Sequence, residues 1–94
     1  MSGKGVAQDT AEAVKWYRKA AEHGNADAAN TLGGIYAEGR GVPRDYARAY
    51  AWFSLAMLAG DQRAEANRDI AARNMTPAEI AEAEQFARKA KPSK

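Results

Sequence analysis

The chain has no cysteine among its 94 residues, which excludes a disulfide framework and any thiolate metal site. A single histidine, His23, leaves a zinc site of the usual His/Cys composition short of ligands. Neither a metal nor another cofactor is expected. β-Branched apolar residues are also scarce, with three Val and three Ile against 23 Ala. Alanine is the strongest helix former and β-branched residues favour strands, so composition predicts an all-α fold. No apolar run approaches the roughly 18 residues that suggest a membrane span. The opening Met-Ser-Gly-Lys-Gly has no apolar signal-peptide core. The expectation is a soluble chain without membrane contact, its compartment left open. The net charge is only +2, and the 14 basic and 12 acidic residues are interspersed. Nucleic-acid binders gather their cations on one face. Here the one cluster, Arg88, Lys89, Lys91 and Lys94, reads as a solvated tail, so no nucleic acid is expected as a partner. The length allows one small domain.

What the chain does have is an internal repeat of 36 residues. At that offset Gly3 falls on Gly39, Gly5 on Gly41, Val6 on Val42, Asp9 on Asp45 and Ala11 on Ala47. Ala13 then falls on Ala49, Trp16 on Trp52, Ala20 on Ala56, Gly24 on Gly60 and Ala28 on Ala64. Both tryptophans of the chain lie inside the match.

Each unit has a physical grammar. Asp9 and Asp45 precede alanine-rich stretches, where a carboxylate can accept bonds from the unpaired N–H groups of a helix start. Ala13, Trp16, Tyr17 and Ala20 follow at i, i+3, i+4 and i+7, which is one helix face. Gly24 and Gly60 end those helices, glycine being free to take the left-handed cap conformation. A second helix carries Ala28, Leu32, Ile35 and Tyr36 on its apolar side. Gly39, Gly41 and Pro43 then break the chain. The pattern predicts helices near 10–22, 26–37, 46–58, 62–73 and 77–90. Trp52 is expected to be buried between the second helix and the one after Gly60, and Trp16 and Tyr17 to pack in the core. Gly33, in mid-helix, predicts close approach of a neighbouring helix.

The run Leu32-Gly33-x-x-Tyr36-x-x-Gly39-x-Gly41-Val42-Pro43-x-Asp45-Tyr46, continued by Ala49-x-x-Trp52-Phe53-x-x-Ala56-x-x-x-Gly60, resembles the Sel-one-like repeat. That family is a variant of the tetratricopeptide type. Gly5-Val6-x-x-Asp9 through Trp16-Tyr17-x-Lys19-Ala20-Ala21-x-x-Gly24 is similar to the second half of such a unit. The resemblance implies an α-α superhelix, a solenoid of stacked antiparallel hairpins with about five helices. Residues 3–24 form a second half-repeat, 25–60 a complete repeat, and 61–74 a degenerate one, since Arg68, Asp69 and Ala72 stand where Leu, Gly and Tyr recur. Thr76-Pro77-Ala78-Glu79 is a capping box with proline at the first helical position. It predicts a terminal capping helix over 75–90, docked on the Leu55 and Leu58 face through Ile80 and Phe86, before a disordered tail at 91–94. The chain opens at a glycine loop, so the leading helix of the first unit is expected to be missing, either because the chain is a piece of a longer array or because the gene begins unusually late.

Convergent chemistry is absent. His23 precedes a helix-ending glycine, a place for capping or solvent rather than catalysis. Ser54 lies within a helix and has no glycine elbow. Gly39-Arg40-Gly41 and Gly3-Lys4-Gly5 lack phosphate-loop spacing and recur with the repeat. Glu82 and Glu84 are two apart on a helix, so their side chains diverge. No catalytic residue is expected.

The resemblance implies protein–protein interaction, with a concave surface lined by the first helix of each pair. On the second helix the polar side carries Asn30, Thr31, Gly34 and Glu38. The positions 36 residues on are Ala66, Asn67, Ile70 and Asn74. Asn30, Thr31, Gly34, Glu38, Asn67 and Ile70 are therefore the candidate contacts for a protein or peptide partner, the amides bonding an extended backbone. Two alternatives stand beside this: a purely structural piece of a longer array, and a relative of the cysteine-rich family members associated with β-lactam binding. The open face of Ala13, Val14, Trp16 and Tyr17 also predicts a weak homodimer through the N-terminal helix.

Overall fold

A computed structural model describes residues 3–90, with side chains from 10 to 89. Among them are five helices and no strand: α1 (Gly3–Glu22), α2 (Ala26–Glu38), α3 (Tyr46–Leu58), α4 (Arg63–Ala72) and α5 (Pro77–Ala90). The four later helices lie within a residue of the expected bounds. Their punctuation is chemical. Asn25 accepts a bond from Ala28 N at 3.0 Å and Asp45 one from Arg48 N at 3.0 Å, each satisfying a helix-start N–H. Glycines 24 and 60 take φ of 93° and 108° after α1 and α3, the left-handed stop that a side chain resists. The Thr76 box closes reciprocally, with Thr76 N donating to Glu79 Oε1 at 2.8 Å and Glu79 N to Thr76 Oγ1 at 3.1 Å.

The first helix departs from expectation. It begins at Gly3 rather than near residue 10, so Asp9 lies within α1 and not at its N-cap. The repeat explains why. Position 7 is Ala where its counterpart is Pro43, and position 8 is Gln where its counterpart is Arg44. Proline disfavours helix in the residue before it and cannot donate to a helical bond. Ala7 and Gln8 propagate one.

The core is built around α3, which lies against α2, α4 and α5. Ala49, Ala51 and Ala56 are wholly inaccessible, and Tyr50, Trp52, Phe53 and Leu55 are buried around them. Small residues let the helices approach, and the aromatic groups fill the remaining volume. Trp52 is only 3% exposed and stands edge-on to Phe86 of α5, centroids 6.2 Å apart. It is Phe53 that meets α2 at Gly33, where an added Cβ would lie 2.4 Å from the ring. Gly33 is thus a place of close approach, as expected, but through Phe53.

α5 aligns with α3 at an offset of 34, pairing Ala47 with Ala81, Ala49 with Ala83, Trp52 with Phe86 and Phe53 with Ala87. It packs on α3 and hardly touches α4, so this register is not matched by a pairing like that of α2 with α3. Ala83 and Ala87 are its buried contacts, with Ile80 and Phe86 half-buried beside them. Leu55 is covered, whereas Leu58, expected to be covered by α5 as well, remains 67% exposed beside it at the end of α3.

α1 packs chiefly on α2. Val14 and Ala21 are buried there, while Trp16 is 67% exposed and Tyr17 37%. The expectation of core packing fails for Trp16 and, to a lesser degree, for Tyr17, and the reason is visible. Positions 51, 55 and 58 on α3 hold Ala, Leu and Leu; their counterparts on α1 are Lys15, Lys19 and Glu22. Charged neighbours keep that face of α1 in water, and Lys19 Nζ sits over the Trp16 ring at 5.6 Å.

Candidate binding groove between α2 and α4

Helices α2 and α4 lie side by side over α3. Between them runs a groove of about 350 Å³, lined by Gly34, Ala37 and Glu38 of α2, Tyr46 and Phe53 of α3, and Asn67, Ile70, Ala71 and Asn74 of α4. Four of the six candidate residues, Gly34, Glu38, Asn67 and Ile70, converge on it. Asn30 stands one turn further along, where its Oδ1 accepts a bond from Asn67 Nδ2 at 3.0 Å. Thr31 is half-buried and is not part of the lining. The floor residues Tyr46 and Phe53 carry no polar periodicity that would have singled them out, being aromatic positions of a core helix. Asn74 was legible only as the repeat counterpart of Glu38.

The groove is apolar below and amide-bearing at its sides. Phe53 and Ala71 are buried beneath it, and Ile70 projects into it at 54% exposure. Asn74 Nδ2 donates to Ile70 O at 3.2 Å, which fixes the amide at the end of α4. Gly34 leaves one wall open: a Cβ there would have only Arg40 Nη2 within 4 Å, at 3.9 Å. Glu38 is paired with Arg40 at 2.8 Å, both side chains largely in solvent.

At the far end, an ion cluster ties the two helix starts together. Asp61 Oδ1 accepts bonds from Arg63 N and Arg63 Nε, each at 3.0 Å, and Oδ2 pairs with Arg63 Nη2 at 2.9 Å. The same Nη2 reaches Asp27 Oδ1 of α2 at 2.9 Å. The Arg63 side-chain bonds hold the Asp61 carboxyl below the usual carboxylate range, and Asp61 in turn raises the guanidinium.

A second polar contact lies between α3 and α5. Tyr50 Oη donates to Glu84 Oε2 at 3.0 Å, so Glu84 is not the purely solvated carboxylate its spacing suggested. Burial, with the Glu84 bond added to it, pushes the Tyr50 hydroxyl pKa up. No buried side-chain polar atom among the described residues lacks a partner. His23 is exposed in the turn after α1. Among the described residues no group of three or more His, Asp or Glu side chains could hold a metal ion, and no helix is long and apolar enough to cross a membrane.

Stacked helix pairs with a groove along their first helices define a helical-repeat protein. The Sel1 repeat family model matches residues 1–25 and 26–61, and the chain belongs to that family. A crystal structure of c5321, a protective antigen present in uropathogenic Escherichia coli strains and displaying an SLR fold, is similar at 37% identity with a TM-score of 0.77. The match covers 82% of this chain and 17% of that one, so the chain spans about a sixth of that relative's length. No curated protein matches the sequence. Repeats of this family serve in general as protein-interaction scaffolds.

Proposed function

We propose that this chain is an interaction module whose α2–α4 groove holds an extended peptide segment of a protein partner. One observation carries the reading: an apolar floor at Phe53, Ile70 and Ala71 lies between amides at Asn67 and Asn74, with Asn30 bonded to the first. An extended segment presents an N–H and a C=O at every residue, and each must be satisfied on leaving water. A carboxamide both donates and accepts, so it can serve either group without choosing a charge. The floor then takes an apolar side chain of the segment.

Peptide-display selection on the chain, with Gly34→Trp as counter-target, tests this. The indole would project into the open wall, so selected peptides should lose most of their binding while the melting temperature holds. Equal binding to both proteins would remove the groove from consideration. No enriched peptide at all would favour a structural role within a longer array. Turnover of a chromogenic β-lactam would point instead to the enzyme relatives, although this chain lacks the cysteines that mark them.

A weak homodimer through α1 is the second reading, favoured by the exposure of Trp16 and Tyr17. Val14 is not part of that face, since it is buried within its own chain. Sedimentation equilibrium should show concentration-dependent association that Trp16→Ser abolishes. A monomer up to millimolar concentration would end this reading.

A further inference from the structure

Helices α4 and α5 depart in sequence from α2 and α3 in one coherent way. The seam enclosed by α3, α4 and α5 is an open groove of about 390 Å³, lined among others by Met57, Leu58, Arg68, Glu84, Ala87 and Arg88. Three of the lining positions have core residues as their sequence counterparts in the preceding unit. The counterparts of Arg68, Glu84 and Ala87 are Leu32, Tyr50 and Phe53, at 0%, 6% and 3% exposure. Alanine stands on α5 where α3 carries a ring. Replacing leucine by arginine puts a cation on the groove wall, and Arg88 adds another where Ser54 stands in the preceding unit.

The loss of core groups is not simply decay to a wet surface. Arg68 is held in place, its guanidinium 5.8 Å above the Tyr50 ring, with its side chain 28% exposed and Asp69 at a loose 3.6 Å. The Glu84 carboxylate already accepts the Tyr50 hydroxyl bond. Arg88 has no ion pair among the described residues. Leu58 lies in the same groove at 67% exposure, an apolar group with no cover. The lining therefore combines two guanidinium groups, one engaged carboxylate and an uncovered leucine.

We infer that this α3–α4–α5 seam is a second binding site, taking an acidic peptide segment with an apolar side chain beside its carboxylate. The apolar side chain covers Leu58 and Met57 in the space left by Ala87, and the carboxylate bridges Arg68 and Arg88. Arginine suits this role because its planar fork pairs with carboxylates bidentately. The site is separate from the α2–α4 groove, so either can fail alone.

Two fluorescein-labelled decapeptides provide the probes, one alternating leucine with pairs of glutamate and the other carrying lysine in place of glutamate. Anisotropy at low salt should give binding of the acidic probe at least about tenfold tighter than of the basic one, weakening as salt screens the charges. Arg88→Gln and Leu58→Ser, both at exposed positions, should each weaken the acidic probe severalfold with unchanged melting. Ala87→Phe should close the seam and remove binding, while Gly34→Trp leaves it intact. Equal binding of the two probes, or an Arg88→Gln chain that binds like the parent, overturns the proposal. Self-association abolished by Leu58→Ser, without probe binding, overturns it in favour of a second copy as the occupant.

Discussion

Two neighbouring glycines of α2 should respond oppositely to the same substitution. In a helix interior, glycine to alanine gains about 1 kcal/mol from propensity. Gly34→Ala should realise most of this, since its new methyl meets nothing closer than Arg40 Nη2 at 3.9 Å. Gly33→Ala places the methyl 2.4, 2.5 and 2.8 Å from Phe53 Cε1, Cδ1 and Cζ. Ordinary contact begins near 3.4 Å, so the ring or the helix carrying it must move by about 1 Å. Phe53 is 3% exposed in the helix at the centre of the core, and such overpacking costs about 1–3 kcal/mol. Because the propensity gain is common to both variants, the difference between them isolates the clash. In a domain this small each kcal/mol moves the melting temperature by about 4–8 °C. Thermal unfolding followed by circular dichroism should place Gly34→Ala above the parent, and Gly33→Ala below Gly34→Ala by at least about 4 °C. Adding Phe53→Leu to Gly33→Ala should recover part of the loss attributable to the clash. Two alanine variants that melt together would refute the account of how α2 meets α3.

Trp52→Ala removes a buried ring and should cost about 3–5 kcal/mol; a urea midpoint equal to the parent's would show that Trp52 is not core. Truncation after Asn74 should uncover Trp52 and Leu55 and raise the fluorescence of a dye that binds apolar surface, and unchanged fluorescence would argue against α5 as their cover. The Asp61 carboxyl titrates below its ordinary value in the folded chain, so its stabilisation is present above the unfolded pKa and is lost as pH falls through the folded one. Asp61→Asn should accordingly flatten the acid limb of stability, seen in urea midpoints between neutral pH and pH 3 or so. The Tyr50 hydroxyl titrates above its ordinary value, so its contribution is complete below the unfolded pKa and disappears as alkaline pH passes the folded one. Tyr50→Phe should weaken the stability loss on that alkaline limb, and an unaltered limb would remove Tyr50 as its source.

The fold was legible because local signals agreed with one another. Asp45, Gly60 and the Thr76 box each mark a boundary by chemistry that acts within four residues. Alanine spacing marked the faces. The start of α1 departs from the spacing because Gly3, Gly5, Val6 and Asp9 match their counterparts, while the proline that breaks the helix does not. Trp16 is exposed although it lies on the apolar spacing of α1, because the lysines around it hold that face in water. Burial depends on what covers a face, and the residues flanking Trp16 carry that information better than the tryptophan does. In the groove, Asn30 and Gly34 follow from helix periodicity on α2 and Asn67 and Asn74 from the repeat offset, whereas Tyr46 and Phe53 reach the floor only through the way three helices meet. The departure from the repeat at Arg68 is visible in the sequence, whereas the seam beside it depends on how α5 packs against α3.

The central claim is that the α2–α4 groove is the binding surface, and amide chemical-shift mapping with a peptide from the display selection tests it most directly. The account predicts that the side-chain amides of Asn67 and Asn74 and the backbone amide of Gly34 move together, saturating at one affinity. It also predicts that the indole resonance of Trp16 stays still. Shifts confined to the Trp16 face of α1, or to Leu58 and Arg88, with the groove amides unmoved, would contradict it.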